Sequence, residues 1–174
     1  LMDHEGNVVA STQTVNGYFG SGILVEGTGI VLNNQMDDFT AKPGEANSFG
    51  VIGGVPNAIA PEKRPLSSMS PTILFNSEGK PILALGSPNG PRIISCVVLT
   101  ILNYIEFGMP LFDATSSLRY HDQWYPEEIR VESPGFDPKT HKSLESMGYK
   151  INKNDYGCRV QSVANDGYAL RGVS

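Results

Sequence analysis

Cysteine is scarce in this 174-residue chain, with only Cys96 and Cys158 present. Two thiols so far apart form no metal-binding or redox motif. Cys96 lies in an apolar helical run and reads as a buried thiol. Histidine is thin too: His4, His121 and His141 are scattered. Long hydrophobic runs are missing too. The longest, from Ile93 to Ile105, is broken by Ser95, Thr100 and Asn103 and falls short of the ~20 residues a membrane span requires. Cations are outnumbered, 13 Lys and Arg against 18 Asp and Glu. The net charge of −5 disfavours nucleic acid or an anionic membrane as a partner. No signal peptide is visible. Low-complexity stretches are few, so the chain reads as globular and, at this length, as one domain.

What is present is strand and helix patterning in blocks. Asn7 to Asn16 alternates, which predicts a strand with Thr14 and Asn16 side by side on one face. Ile23-Leu24-Val25 and Ile30-Val31-Leu32 flank Glu26-Gly27-Thr28-Gly29 as a hairpin would. Asn33 to Phe39 follows as a strand-end loop, and Thr40 to Lys63 reads as a long ordered loop, a feature usually tied to function. Thr72 to Phe75 and Pro81 to Leu85 form a second strand pair. After Gly86-Ser87-Pro88-Asn89-Gly90, helical spacing of Ile93, Ile94, Val97, Val98, Ile101, Tyr104 and Ile105 predicts a helix burying that face. Gly108 and Pro110 stop it. A short helix is expected over Leu111 to Leu118. Another starts at the Asp137-Pro138 cap, buries Leu144 and Met147 and ends at Gly148. Late strands are expected at Arg130 to Glu132 and Arg159 to Ala164. The pattern gives an α/β (α+β) domain with sandwich layering.

The organising stretch is Arg64-Pro65-Leu66-Ser67-Ser68-Met69-Ser70-Pro71-Thr72. Its prolines fix φ and withdraw backbone donors, so the serines sit on a stiff, non-helical segment whose hydroxyls and N–H groups suit an anion such as a carboxylate. Standing alone, it would also read as an ordinary Ser/Pro loop. With Asn33 to Phe39 upstream and Gly86 to Gly90 downstream, it resembles the small subunit of γ-glutamyltranspeptidases, which are N-terminal-nucleophile hydrolases. The resemblance extends through Asp3-His4-Glu5-Gly6-Asn7, Gly50-Val51-Ile52-Gly53-Gly54, Arg119-Tyr120-His121, Gln123-Trp124, Val160-Gln161-Ser162 and Gly172-Val173-Ser174.

The resemblance implies half of an αββα four-layer sandwich, completed by a large subunit from the same precursor. It implies attack by an N-terminal threonine on a γ-glutamyl amide such as glutathione, with water, an amino acid or a dipeptide accepting the acyl group. Neither metal nor cofactor is implied. That threonine matches no residue of this sequence. The family pattern places it a few positions before Leu1 and continues past Ser174, so both ends are expected to be incomplete. A periplasmic or secreted location follows by the same resemblance.

Carried over residue by residue, Thr14 matches a threonine that orients the nucleophile, and Asn16 a contact to the glutamyl end. Gln35 and Asp38 match the holders of the α-amino group, where a carboxylate supplies the charge an ammonium needs. Ser67 and Ser68 match the α-carboxylate site. Asn89 and Gly90 match the oxyanion turn, whose backbone N–H groups face developing negative charge. Here Asn89 replaces a family glycine; Asn tolerates positive φ better than most residues. Plainer readings stand beside these. Thr14 suits a strand by propensity, Asn16 could serve the glycine turn after it, and Asp37-Asp38 could be a solvated surface pair, a general acid/base couple or a cation site. His121, in Tyr120-His121-Asp122-Gln123-Trp124, could suggest catalysis or metal binding but reads better as a structural histidine beside the single Trp. The other functional readings are a depolymerase of γ-glutamyl polymers, a cephalosporin acylase, and a non-catalytic binding protein that has lost the nucleophile.

Overall fold

Alternation along one strand places the core. In β4, Pro81–Gly86, Leu83 and Leu85 share a face and are almost fully buried. The computed structural model describes residues 1–153 and 158–174 and divides into two units: Leu1–Thr12 with Ser68–Ser174, and Gln13–Ser67.

In the larger unit, β3 (Thr72–Phe75), β4, β8 (Gln161–Asn165) and β9 (Leu170–Val173) form an antiparallel sheet in the order β3-β4-β8-β9. Leu83 pairs with Ala164 and Leu85 with Ser162. Helices α1 (Arg92–Ile105) and α2 (Leu111–Ser116) pack on this sheet. Ile93, Cys96, Val97 and Leu111 close a cluster with Leu83, Leu85, Val160 and Ala164. A second sheet joins β5 (Tyr120–His121), β6 (Ile129–Val131) and β7 (Ile151–Lys153), with β6 and β7 parallel. Helix α3 (Pro138–Ser146) precedes β7. Asp137 caps it by accepting from the Lys139 and Thr140 amides, as its sequence predicts. Arg119 ties the sheets' surroundings together. Its guanidinium pairs with Glu132 at 3.1 Å and donates to the carbonyls of Thr115 and Cys158.

The smaller unit holds the hairpin β1 (Leu24–Val25) and β2 (Ile30–Val31), a 3-10 turn at Gln35–Asp38, and the loop after it. That loop is ordered by bridges pairing Thr40 with Ala58 and Ala46 with Ile52, and by a 3-10 turn at Val55–Asn57.

Four expectations are corrected. Asn7 to Asn16 is no strand. Among the described residues its only ladder contact is the bridge from Val8 to Met2, and alternation makes no strand without a neighbouring strand to pair with. The buried stripe of α1 runs through Ile93, Cys96, Val97 and Thr100, whereas Ile94, Val98 and Ile105 face outward. The helix is apolar around most of its circumference, so spacing alone did not single out the buried side. Leu144 is half-buried, but Met147, just past the end of α3, is exposed. Finally, Cys96 is not a thiol. It forms a disulfide with Cys158, linking α1 to the segment before β8 inside the core cluster.

The disulfide spans a sequence separation of 62 residues, a loop long enough for closure entropy to contribute about 4 kcal/mol, with 2–4 typical. Urea unfolding of the parent with and without reductant is therefore expected to show a markedly lower midpoint in reductant. Coincident curves would show that the link does not stabilise the fold. No helix among the described residues is long and apolar enough to cross a membrane.

Candidate active site

Within the Gln13–Ser67 unit, four candidates are joined through one asparagine. The Thr14 hydroxyl accepts from the Asn16 amide at 2.8 Å, and Asn16 turns the chain at φ 75°. Thr14 and Asn16 are thus linked by a turn and do not share a strand face. With its oxygen accepting from that amide, the Thr14 hydroxyl keeps its own proton to donate. Asn16 Nδ2 donates to the Asn34 carbonyl at 3.3 Å. Asn34 Oδ1 accepts from the Gly17 amide at 2.8 Å, and the Asn34 amide donates to Val15. The turn carrying Gln35 and Asp38 begins at once after Asn34.

The two adjacent aspartates of that turn have different environments. Asp37 is engaged: its carboxylate accepts from the Ser48 amide at 3.3 Å and from the Ser48 hydroxyl, and its carbonyl from Asn47 Nδ2. Asp38 is half-buried, yet among the described residues no hydrogen bond or ion pair engages its carboxylate. Burial, and secondarily the charge of Asp37, push its pKa above the ordinary carboxylate value. A desolvated, unpaired carboxylate is costly unless a cation meets it. It lines a cavity of about 580 Å³, together with Thr40, Asn47, Ser48, Gly53 and Asn57. Gly53 is required there by space, since a Cβ would stand 2.0 Å from Thr40 Oγ1.

Asn57, which the sequence reading did not single out, joins two of the predicted segments. Its Nδ2 donates to the Asp38 carbonyl at 2.8 Å, and its Oδ1 accepts from the Leu66 amide at 2.9 Å. Leu66 immediately precedes Ser67, which is exposed and closes this unit. Asn57 sits in the long loop with no local motif, so only the fold discloses its role.

In the larger unit, Ser68 is half-buried and its carbonyl accepts from the Ser70 hydroxyl at 3.0 Å. The turn after β4 is built tightly. Gly86 packs where a Cβ would meet Thr12 Oγ1 at 3.2 Å, and the buried Ser87 donates from its hydroxyl to the Pro88 carbonyl. Asn89 and Gly90 both take positive φ, 106° and 56°. Among the described residues neither of their N–H groups is taken by a hydrogen bond, while the Gly90 carbonyl accepts from the Ile93 amide at the start of α1. Two adjacent open donors at the positive end of a fourteen-residue helix suit an oxyanion.

His121 is structural in its contacts. Nδ1 meets Ser95 Oγ at 2.7 Å and Nε2 meets Gln123 Oε1 at 2.9 Å, while Gln123 Nε2 donates to Tyr125. The glutamine orientation makes Nε2 the donor, so Nδ1 accepts from Ser95. Burial, with the charges of Arg92 and Arg130, holds the imidazole below its ordinary pKa. No cluster of three or more metal-ligating side chains occurs among the described residues.

Comparisons with known proteins agree along the whole chain. A profile of the Gamma-glutamyltranspeptidase family matches residues 1–174. The chain is 49% identical over 163 residues to the glutathione hydrolase proenzyme of Escherichia coli K12, covering 94% of this chain and 28% of the relative. An acivicin-inhibited γ-glutamyltranspeptidase superimposes with a TM-score of 0.95 at 40% identity, covering 99% of this chain and 94% of the solved one. A mutant γ-glutamyltranspeptidase of Helicobacter pylori gives 0.94 at 41%, covering 99% and 95%. The chain therefore spans less than a third of the E. coli proenzyme but nearly all of each solved chain. It has the α+β fold of these N-terminal-nucleophile hydrolases. A full-length profile match and a relative of nearly half identical sequence place this chain in the γ-glutamyltranspeptidase family.

Proposed function

We propose that this chain is the small subunit of an enzyme that hydrolyses glutathione and transfers γ-glutamyl groups to amino acids, dipeptides or water. The observation that carries the reading is the pair of backbone donors at Asn89 and Gly90, open among the described residues and set at the start of α1. The nucleophile is the hydroxyl of an N-terminal threonine upstream of Leu1, oriented by the proton that Thr14 retains. Its oxygen bonds to the γ-carbonyl carbon as its proton passes to the threonine's own α-amine. The carbonyl electrons move onto oxygen, which the Asn89 and Gly90 amides stabilise. Collapse breaks the C–N bond, and the α-ammonium returns the proton to the leaving amine. An ester remains, which water or an amine resolves by the same steps. Asn16 and Gln35 contact the glutamyl end, Asp38 meets its α-ammonium, and Ser67 and Ser68 meet its α-carboxylate.

The partner in this reading is the remainder of a precursor, as a large subunit. The relatives' lengths support it, because the chain covers 28% of a proenzyme but 95% of a solved chain. So does α1, whose outer stripe of Ile94, Val98, Leu102 and Ile105 stays 42–52% exposed. A periplasmic or secreted location is supported by the Cys96–Cys158 disulfide, since such bonds persist in oxidising compartments.

The full-length processed protein is expected to release anilide from a γ-glutamyl anilide, faster when a dipeptide acceptor is added. No release from correctly processed protein would overturn the reading. Ser67→Ala and Ser68→Ala separate binding from chemistry. The α-carboxylate carries the same charge in ground and transition states, so its contacts are uniform binding. Each lost charge-assisted bond costs about 1.5–3 kcal/mol, or roughly 10- to 150-fold in kcat/KM, expressed chiefly in KM. A substrate lacking the α-carboxylate is expected to be nearly indifferent. Equal loss on both substrates would mean the serines build the framework and do not hold the carboxylate.

A further inference from the structure

Asn89 holds a backbone conformation that its residue type does not favour. Its φ of 106° lies well beyond the left-handed helical well near 57°, a region glycine enters freely and asparagine does not. Something must therefore hold it, and its side chain shows what. Asn89 Oδ1 accepts from Arg92 Nη1 at 3.1 Å. Arg92 is the first residue of α1, where the helix dipole disfavours a cation, and no acidic residue in that first turn offsets it. Its main chain is fixed as well, because Ile93 donates to the Gly90 carbonyl and the Arg92 carbonyl lies 3.9 Å from Cys158 Sγ. The guanidinium thus reaches back from an anchored helix end to the one side chain of the turn that stands at an unfavourable φ.

We propose that Arg92 is a positioning residue for the oxyanion turn. It latches the Asn89 side-chain amide, holds φ at its positive value, and so fixes the backbone that carries the adjacent Asn89 and Gly90 N–H groups. The same cation adds positive potential where an anion develops. The latch does its work only because residue 89 carries a side chain; a glycine there would hold the turn unaided. This inference rests on the oxyanion role proposed for those two amides.

The test is a double-mutant cycle on the full-length processed enzyme, reading kcat and KM on a γ-glutamyl anilide. In the parent background, Arg92→Ala is expected to lower kcat about tenfold with KM changed less than threefold. In the Asn89→Gly background, adding Arg92→Ala is expected to cost less than threefold. Arg92→Lys, which keeps the charge but not the planar fork, is expected to fall between. Equal kcat losses in the two backgrounds overturn the latch, as does no loss in either. Thermal melting of all four cycle proteins guards against misfolding: if Arg92→Ala melts early in both backgrounds while kcat recovers only with Asn89→Gly, the latch stands. Gly90→Pro separates this inference from the reading beneath it. A crippled Gly90→Pro with unaffected Arg92→Ala removes the latch alone, whereas an active Gly90→Pro removes the oxyanion role itself.

Discussion

Gly90→Pro is expected to lose roughly 10²- to 10³-fold in kcat, while Gly90→Ala loses far less. Proline deletes one of the two open amides and fixes φ near −65°, whereas Gly90 sits at 56°. Removing a single oxyanion donor costs about 2.7–4 kcal/mol, which at 1.36 kcal/mol per decade gives the stated loss. Alanine keeps the N–H, at a left-handed strain of about 1–2 kcal/mol. Because the donors meet charge that exists only in the transition state, kcat should fall and KM should scarcely move. Asn89→Gly keeps both amides and is expected to stay within about tenfold of the parent, since only its side-chain latch is lost. Steady-state kinetics on a γ-glutamyl anilide, with melting curves for folding, decides the matter. Gly90→Pro within threefold of the parent would remove the oxyanion assignment. An Asn89→Gly variant as inactive as Gly90→Pro would point to a catalytic side chain at residue 89.

The elements legible in the sequence are those whose stability is local or periodic. The β3–β4 hairpin, the α1 span and the Asp137 cap are written in spacing and capping chemistry, and each forms where expected. The failures share a cause: each depends on something the local pattern does not encode. Residues 7–16 alternate like a strand, but a strand forms only beside another, and among the described residues only Val8 finds a bridge. Ile94 and Val98 are as apolar as Ile93 and Val97, so which stripe of α1 turns inward is set by the sheet beneath it. Cys96 and Cys158 meet only because β8 returns antiparallel alongside β4, an approach no spacing rule between two cysteines could give. The candidate site divides in the same way. Asp38 could be chosen over Asp37 in the sequence only through resemblance. The structure sets the two apart, since Ser48 bonds the Asp37 carboxylate while no described residue bonds that of Asp38. Asn57 and Arg92 act through contacts made by folding and leave no motif of their own.

That contrast between the aspartates makes the last prediction sharp. Asp38→Asn is expected to reduce kcat/KM on a γ-glutamyl substrate by roughly 30-fold to several thousandfold, the range for truncating one partner of a buried charge pair at about 2–5 kcal/mol. The substrate ammonium keeps its charge throughout the reaction, so the loss belongs mostly in KM. Asp37→Asn should cost little, because an amide oxygen can still accept from Ser48. The pH dependence carries the sign. Burial first, and the neighbouring Asp37 charge second, raise the Asp38 pKa, and only the carboxylate form attracts an ammonium. As pH falls, kcat/KM should therefore decline earlier than it would for an ordinary carboxylate, following the free enzyme's ionisation. Replacing Asp37 by Asn removes a like charge, lowers the Asp38 pKa and should shift that acid limb to lower pH. Two results would sink the assignment: Asp37→Asn raising KM as much as Asp38→Asn does, or an acid limb that moves upward when Asp37 loses its charge. The first result would make the two aspartates equal partners of the ammonium, and the second would assign the acid limb to a group other than Asp38.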